Sequence, residues 1–279
     1  MRLGGQLFEH APTPEGWTHK IKQLGYRAAY SPIHPGSTAE EKKAYVEAAK
    51  AADIIISELG TWSNPLSDDA QDAQNAINGC IAGLALCEEA GITCCVNIAG
   101  SKGKVWCGPD ARNYTQETFD QIVESTRQII DAVKPTRTFY TLEMMPWAYP
   151  DSAESYLDLM KAIDRPAFGV HFDPVNILNS PEKLYKNGAV IRDFVDRLGH
   201  KIKSCHAKDI TINENSFAVE MREVGPGLGV LDYETFLTCV DKLSPDMPLM
   251  LEHLEKPEQY DAAAAHIRST ATRLGISKI

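Results

Sequence analysis

Four residues of this chain have the types and spacing to share one metal ion. Glu143, Asp173, His206 and Glu252 each close a short strand-like run: Thr138-Phe-Tyr-Thr-Leu-Glu143, Phe168-Gly-Val-His-Phe-Asp173, Ile202-Lys-Ser-Cys-His206 and Pro248-Leu-Met-Leu-Glu252. The intervals are 30, 33 and 46 residues, about one strand-plus-helix unit each. A lone glutamate at a strand end is ordinarily a solvated rim residue. Four hard or borderline donors on successive strand ends suggest one divalent cation. Three carboxylates and an imidazole suit Mn2+, Co2+ or Mg2+ and fit Zn2+ less well, and Mn2+ is the first expectation. His171 and Asp173 lie two apart and project from one face of their strand. Pro174 has no N–H for a central ladder, so it is expected to end that strand and open a loop.

To present four strand ends together, the chain needs strands that run side by side. Strand-like and helix-like segments alternate eight times. Strands are expected at 3–8, 26–30, 54–58, 92–98, 138–143, 168–173, 202–206 and 248–252. Helices are expected at 16–24, 39–52, 69–90, 115–133, 152–163, 181–198, 232–242 and 257–274. Ser37 or Thr38 caps the second helix, and Ser37-Thr-Ala-Glu40 has capping-box spacing. Gly25 and Gly91 are helix stops. Apolar strands alternating with helices mean a parallel sheet covered on both faces. Eight such units predict an α/β fold with a single (β/α)8 TIM barrel domain over residues 1–279, its active site at the carboxyl ends of the strands. The loops 99–114 and 209–231 are long. Gly225-Pro-Gly-Leu-Gly229 follows a loop rather than a strand, so a dinucleotide site is unsupported.

The composition narrows the partners. The 279 residues are 43% hydrophobic, enough for a sizeable core. A net charge of −10 argues against nucleic acid, whose binding rests on Lys and Arg contacts to phosphates. The N-terminus has no charged-then-apolar signal pattern, and no apolar run approaches ~20 residues, so a soluble cytoplasmic protein without a membrane partner is expected. Seven cysteines without a C-x-x-C pair fit a reducing compartment and read as small core residues.

The chain carries Leu142-Glu143, Gly169-x-x-x-Asp173-x-x-Asn176, His206-Ala-Lys-Asp209, Glu223-x-Gly225-x-Gly227 and Leu251-Glu252. With these motifs it resembles the xylose isomerase-like superfamily of sugar phosphate isomerases and epimerases over nearly its whole length. The resemblance implies that Glu143, Asp173, His206 and Glu252 hold one divalent cation at the barrel mouth. It also implies that Glu143 and Glu252 flank the bound sugar as acid and base. Such an ion polarises a carbonyl or hydroxyl oxygen and acidifies the neighbouring C–H. Two carboxylates on opposite sides of that carbon can then epimerise it or, by returning the proton to the next carbon, isomerise it. With a leaving group in the beta position the same site eliminates. Ketose 3-epimerases carry a second Glu and a His where this chain has Tyr149 and Asn176, which argues against that type and leaves Asn176 to hydrogen-bond a substrate hydroxyl. Endonuclease IV, a DNA-repair relative, needs further His and Glu ligands, and Asn176 replaces one.

Other candidates have two readings each. His171 contacts substrate or is a satisfied interior histidine. Lys208 reaches substrate oxygens or pairs with Asp209 at the rim. Glu223 contacts substrate or anchors the glycine loop. Glu58, ending the third strand, binds substrate or lines the rim. Trp62, Trp106 and Trp147 offer aromatic faces to a sugar or aglycone, or pack their loops. His253 points away from the face of Glu252, and Cys107 has no histidine partner. The leading expectation is a metal-dependent isomerase or epimerase of a carbohydrate. The alternatives are a lyase on the same fold, namely a keto-inositol dehydratase or a 3-keto-glycoside-cleaving enzyme, and a barrel that binds a ligand or partner subunit without activity. No basic cluster marks a phosphate site, and a homo-oligomer is left open.

Overall fold

The structure, a computed structural model, describes residues 1–9, 11–277 and 279. The elements run β1 (Arg2–Gly4), α1 (Pro14–Gln23), β2 (Ala28–Tyr30), α2 (Ala39–Ala51), β3 (Ile55–Gly60), α3 (Ala70–Ala90), β4 (Cys94–Asn97), α4 (Gln116–Val133), β5 (Phe139–Glu143) and α5 (Ala153–Ile163). They continue with β6 (Phe168–Phe172), α6 (Pro174–Ile177), α7 (Pro181–Tyr185), α8 (Asn187–Leu198), β7 (Ile202–Ala207), β8 (Asp209–Ile212), β9 (Met221–Val224), α9 (Tyr233–Asp241), β10 (Pro248–Leu251) and α10 (Pro257–Arg273). β1 to β7 and β10 close a parallel barrel in the order β1-β10-β7-β6-β5-β4-β3-β2. This is the expected TIM barrel.

Several boundaries differ from the sequence reading for local reasons. β1 is short because only Arg2–Gly4 find partners on β10. β3 runs two residues past Glu58, which therefore lies within the strand. The capping box of α2 joins Thr38 to Glu41, not Ser37 to Glu40. The expected helix 181–198 divides into α7 and α8 at Lys186. Pro174 opens α6 rather than a loop, because proline suits the first helical position, where no N–H is needed. The segment after His206, expected as a loop, contains the antiparallel hairpin β8–β9.

The core that fixes the site lies between the strands and the outer helices. Tyr156 of α5 stacks on Phe168 at 5.8 Å, and its hydroxyl donates to the Leu142 and Gly169 carbonyls at 2.7 and 2.9 Å. Phe172 stacks on Phe194 of α8 at 4.5 Å. Each buried aromatic contributes roughly 1.5–3 kcal/mol, so β5 and β6 are clamped where they deliver Glu143 and Asp173. On the far side of the barrel a Cβ at Gly4 would lie 2.5 Å from the Ala28 carbonyl oxygen and 2.6 Å from Met250 Sδ, so close packing of β1 requires glycine. The seven cysteines are free, five of them buried. Among the described residues no helix is long and apolar enough to cross a membrane.

The entry to β5 depends on one carboxylate of α3. Glu88 accepts from Thr136 Oγ1 at 2.7 Å and from the Arg137 and Thr138 amides at 2.9 and 3.2 Å. Burial raises its pKa, but these hydrogen bonds outweigh burial and lower it from 4.5 to about 2. A depressed carboxylate pKa gives stability that is present above the unfolded value and lost as pH falls through the folded one. Glu88→Gln should destabilise the protein by about 1–3 kcal/mol at neutral pH. The deficit should shrink as pH falls from 4.5 toward 2, as read by chemical denaturation at a series of pH values. A pH-independent deficit would assign the effect to packing.

Candidate metal centre

Each of the four predicted ligands reaches the mouth by a different local device. Glu143 is the last residue of β5. Asp173 caps α6: its Oδ1 accepts from the Val175 and Asn176 amides at 2.9 and 3.4 Å, which leaves Oδ2 facing the barrel axis. His206 sits within β7, opposite Met250 of β10. Glu252 follows β10 directly. One donor atom from each residue lies within 4.8 Å of every other, and the group is buried except for the half-buried Glu252.

These donors fit a divalent cation. His206 Nδ1 is 2.7 Å from Glu252 Oε2 and 3.4 Å from Glu143 Oε1. Two lone pairs at 2.7 Å repel unless a proton or a cation lies between them. Asp173 Oδ2, His206 Nδ1 and Glu252 Oε2 are buried and have no aligned hydrogen bond among the described residues. Lys208 Nζ approaches the same oxygens, 2.9 Å from Asp173 Oδ2 and 2.8 Å from Glu252 Oε2. These are close ion contacts without hydrogen-bond alignment. Three carboxylates against one ammonium leave an excess of negative charge in a buried space, and oxygen-rich sites of this kind suit hard divalent ions.

The local fields show the same need for positive charge. Burial raises the Glu252 pKa, yet His206 and Lys208 overcome it and hold the carboxyl well below the usual range. Glu143 is lowered too, with burial opposed by His206. Asp173 is pushed up to about 6, mainly by burial, with Lys208 opposing. Burial pulls His206 and Lys208 down, but the surrounding carboxylates raise both well above their ordinary values.

A second layer beneath the mouth holds the histidine. Glu58, 1% exposed, accepts from His206 Nε2 at 3.0 Å, His171 Nε2 at 2.9 Å and Ser204 Oγ at 2.6 Å. A carboxylate only accepts, so Nε2 of His206 carries a proton, and a cation that displaces the proton the carboxylates favour on Nδ1 would find that nitrogen oriented to ligate. The distances are those of N–H···O hydrogen bonds, so this layer needs no ion of its own.

The other predicted site residues separate in the structure. Asn176 donates to Glu143 Oε1 at 2.9 Å and so orients a proposed ligand. His171 is fully buried below the mouth against Glu58, the interior alternative rather than a substrate contact. Lys208 pairs with the ligand cluster and not with Asp209. Asp209 instead anchors the glycine loop, accepting from the Gly227 and Gly229 amides at 2.9 and 3.0 Å. Glu223, on β9, reaches over the mouth to within 3.5 Å of Lys208 Nζ. Trp147 donates Nε1 to the Cys107 carbonyl at 2.7 Å and thereby ties two loops together. Trp106 lines a separate cleft with Ser63, Asn64 and Lys104. His253, expected to point away, has a left-handed φ of 58° that turns it back, 2.9 Å from Glu223 Oε1 and 3.4 Å from Glu252 Oε1. Glu58 is interior rather than at the rim. A charged residue inside an apolar strand was its only signal.

Comparison with known proteins gives the same picture at the level of fold. The model of the xylose isomerase-like TIM barrel family matches residues 19–270. A probable endonuclease 4 of Persephonella marina is 26% identical over 227 residues, covering 76% of this chain and 75% of that protein. The probable 3-DHS dehydratase of Bacillus anthracis superposes with a TM-score of 0.72 at 17% identity, covering 98% of this chain and 100% of the other. The 3-keto-D-glucoside 4-epimerase of E. coli superposes with a TM-score of 0.68 at 14% identity, covering 96% and 99%.

Proposed function

Because the chain belongs to the xylose isomerase-like TIM barrel family, we propose that it is a divalent-metal-dependent isomerase or epimerase of a sugar or keto-sugar derivative, acting as one barrel domain over residues 1–279. The observation that carries this reading is the convergence of Glu143, Asp173, His206 and Glu252 within 4.8 Å at the barrel mouth. These four residues would hold the ion, Mn2+ in the first instance. When bound, it would polarise a substrate oxygen and acidify the adjoining C–H. Glu143 ends β5 and Glu252 follows β10, with β6 and β7 between these strands, so the two approach the substrate from separated directions. One removes the proton and the other returns it. Asn176 holds Glu143 in place. Lys208, displaced toward Glu223, donates to the substrate oxygen on which negative charge develops.

Elimination is the second reading, and His253 favours it. Its ring lies beside Glu252 at the mouth and could protonate a leaving group. Nucleic acid fits less well. The rim carries Glu223 and Glu252, and among the described residues neither Lys nor Arg lines the adjoining mouth cavity. The deciding experiment incubates Mn2+-loaded protein in D2O with a panel of free sugars, keto-sugars and cyclic polyols. Deuterium should enter at one carbon of an accepted substrate, and chelation followed by dialysis should abolish it. Undiminished exchange or turnover after metal removal would refute the reading.

A further inference from the structure

One cavity opens beside Glu252 of the ligand cluster and a second adjoins it, and their chemistry differs. The first, about 520 Å3, is lined by Glu252, His253, Trp62, Gln6, Tyr30 and Ser31 among others. The second, about 620 Å3, shares Gln6, Tyr30 and Ser31 with the first and continues between the loops that follow β1 and β2. There the lining turns apolar and aromatic: Leu7, Phe8, Pro12, Trp17 and Tyr45. Trp17 and Tyr45 meet edge to face at 5.8 Å, and the Phe8 ring is 42% exposed.

We propose that the substrate is bipartite: a neutral polyhydroxylated ring in the first cavity, bearing an apolar, ring-containing substituent that lies in the second. This rests on the reading of the mouth as a carbohydrate site. The first cavity has what a sugar ring needs. Glu252, His253, Gln6 and Ser31 supply polar atoms for hydroxyls. Trp62 is 44% exposed and supplies a flat face for the C–H side of the ring. The Trp62 indole is seated against the end of β3 because residue 60 is glycine: a Cβ there would lie 2.4 Å from Trp62 Nε1.

The second cavity has no use for a free sugar. Each cavity alone falls within the ~300–1,000 Å3 typical of small-ligand pockets, so a monosaccharide would leave the second one unused. No Lys or Arg lines either cavity among the described residues, and the charged group in the second, Glu9, is paired with Lys20. Among the described residues that lining favours an aromatic group over a phosphate or nucleotide extension. Gln6, Tyr30 and Ser31 line both cavities, so the apolar space lies next to the ring site.

The test titrates Mn2+-loaded protein with methyl and phenyl glycosides of common hexoses and pentoses by calorimetry, with sugar phosphates alongside. For an accepted sugar the phenyl glycoside should bind about ten- to a hundredfold more tightly than the methyl glycoside. Sugar phosphates should show no gain over the free sugar. Leu7→Asp and Tyr45→Lys should each collapse the phenyl-to-methyl ratio toward one, and Tyr45→Phe should preserve it. Equal affinities for every sugar, no binding of any phenyl glycoside, or a ratio unchanged in both charged variants overturns the proposal. Protein that binds Mn2+ and exchanges deuterium into a free sugar, yet shows no phenyl gain, keeps the proposed function and loses the bipartite substrate. Protein whose exchange survives metal removal loses the function alone, and the glycoside ratio still decides the substrate.

Discussion

Glutamine in place of Glu143 or of Glu252 should lower kcat by ~10²–10⁴-fold, the usual contribution of positioned acid–base catalysis. The substitution keeps the side-chain shape and a carbonyl oxygen and removes only the capacity to take and carry a proton. Divalent ion should still bind, more weakly, because an amide oxygen can remain a ligand. For Glu143 the Asn176 contact at 2.9 Å persists if the amide oxygen takes the place of Oε1, so a gross loss of position is not built into the change. Glu252 is the more accessible of the pair, with 15% of its side chain exposed against 5% for Glu143. It is therefore the group that meets solvent-borne protons, and its variant should lose deuterium wash-in most completely. The measurement pairs kcat with solvent exchange and metal content. A variant that retains metal and exchanges at the wild-type rate reduces that glutamate to a ligand.

How far the sequence carried this picture depended on how local each signal was. The eight strand–helix units and the convergence of the four candidate ligands were legible because each candidate sits at or near the end of an apolar run, where periodicity and position agree. Asp173 shows the limit. Its place at the strand end was readable, but its second task, capping α6 through Oδ1, depends on Pro174 starting a helix, and Pro174 could equally open a loop. His253 was misplaced because strand parity was extended one residue too far. The chain leaves β10 at Leu251, and the left-handed backbone at 253 reverses the side chain. Lys208, two residues past His206, was left between a substrate contact and a rim pair with Asp209. Its pairing with Asp173 and Glu252 rather than Asp209 is a tertiary outcome that no spacing encodes. The hairpin β8–β9 was hidden because its turn, 213–220, is long and lacks a short Asn-Gly or Asp-Gly signal.

Glu58 was the residue least visible in the sequence, and its removal should have the second large effect. It lies in β3, across the barrel from β6 and β7, and its two oxygens gather the His171, His206 and Ser204 donors. Truncation by Glu58→Ala leaves these donors buried and unpaired in a space that water reaches poorly. Breaking a buried ionic partner in this way typically costs about 3–5 kcal/mol, which should appear as a clear fall in Tm with or without metal. Glu58→Gln asks the sharper question. The amide presents one accepting oxygen and one donating nitrogen, so it cannot accept N–H from both histidines at once. One ring must change tautomer or turn. If His206 is the one displaced, its Nδ1 acquires the proton and ceases to be a ligand. Loss of such an outer hydrogen bond typically weakens metal affinity by about 10–100-fold. Calorimetric titration of Mn2+ into apo wild type and Glu58→Gln reads this directly, and nitrogen-15 NMR of the imidazoles reports which nitrogen carries the proton. Unchanged affinity together with a retained Nε2–H on His206 would show that β7 alone sets the ring, and that Glu58 serves the barrel interior only.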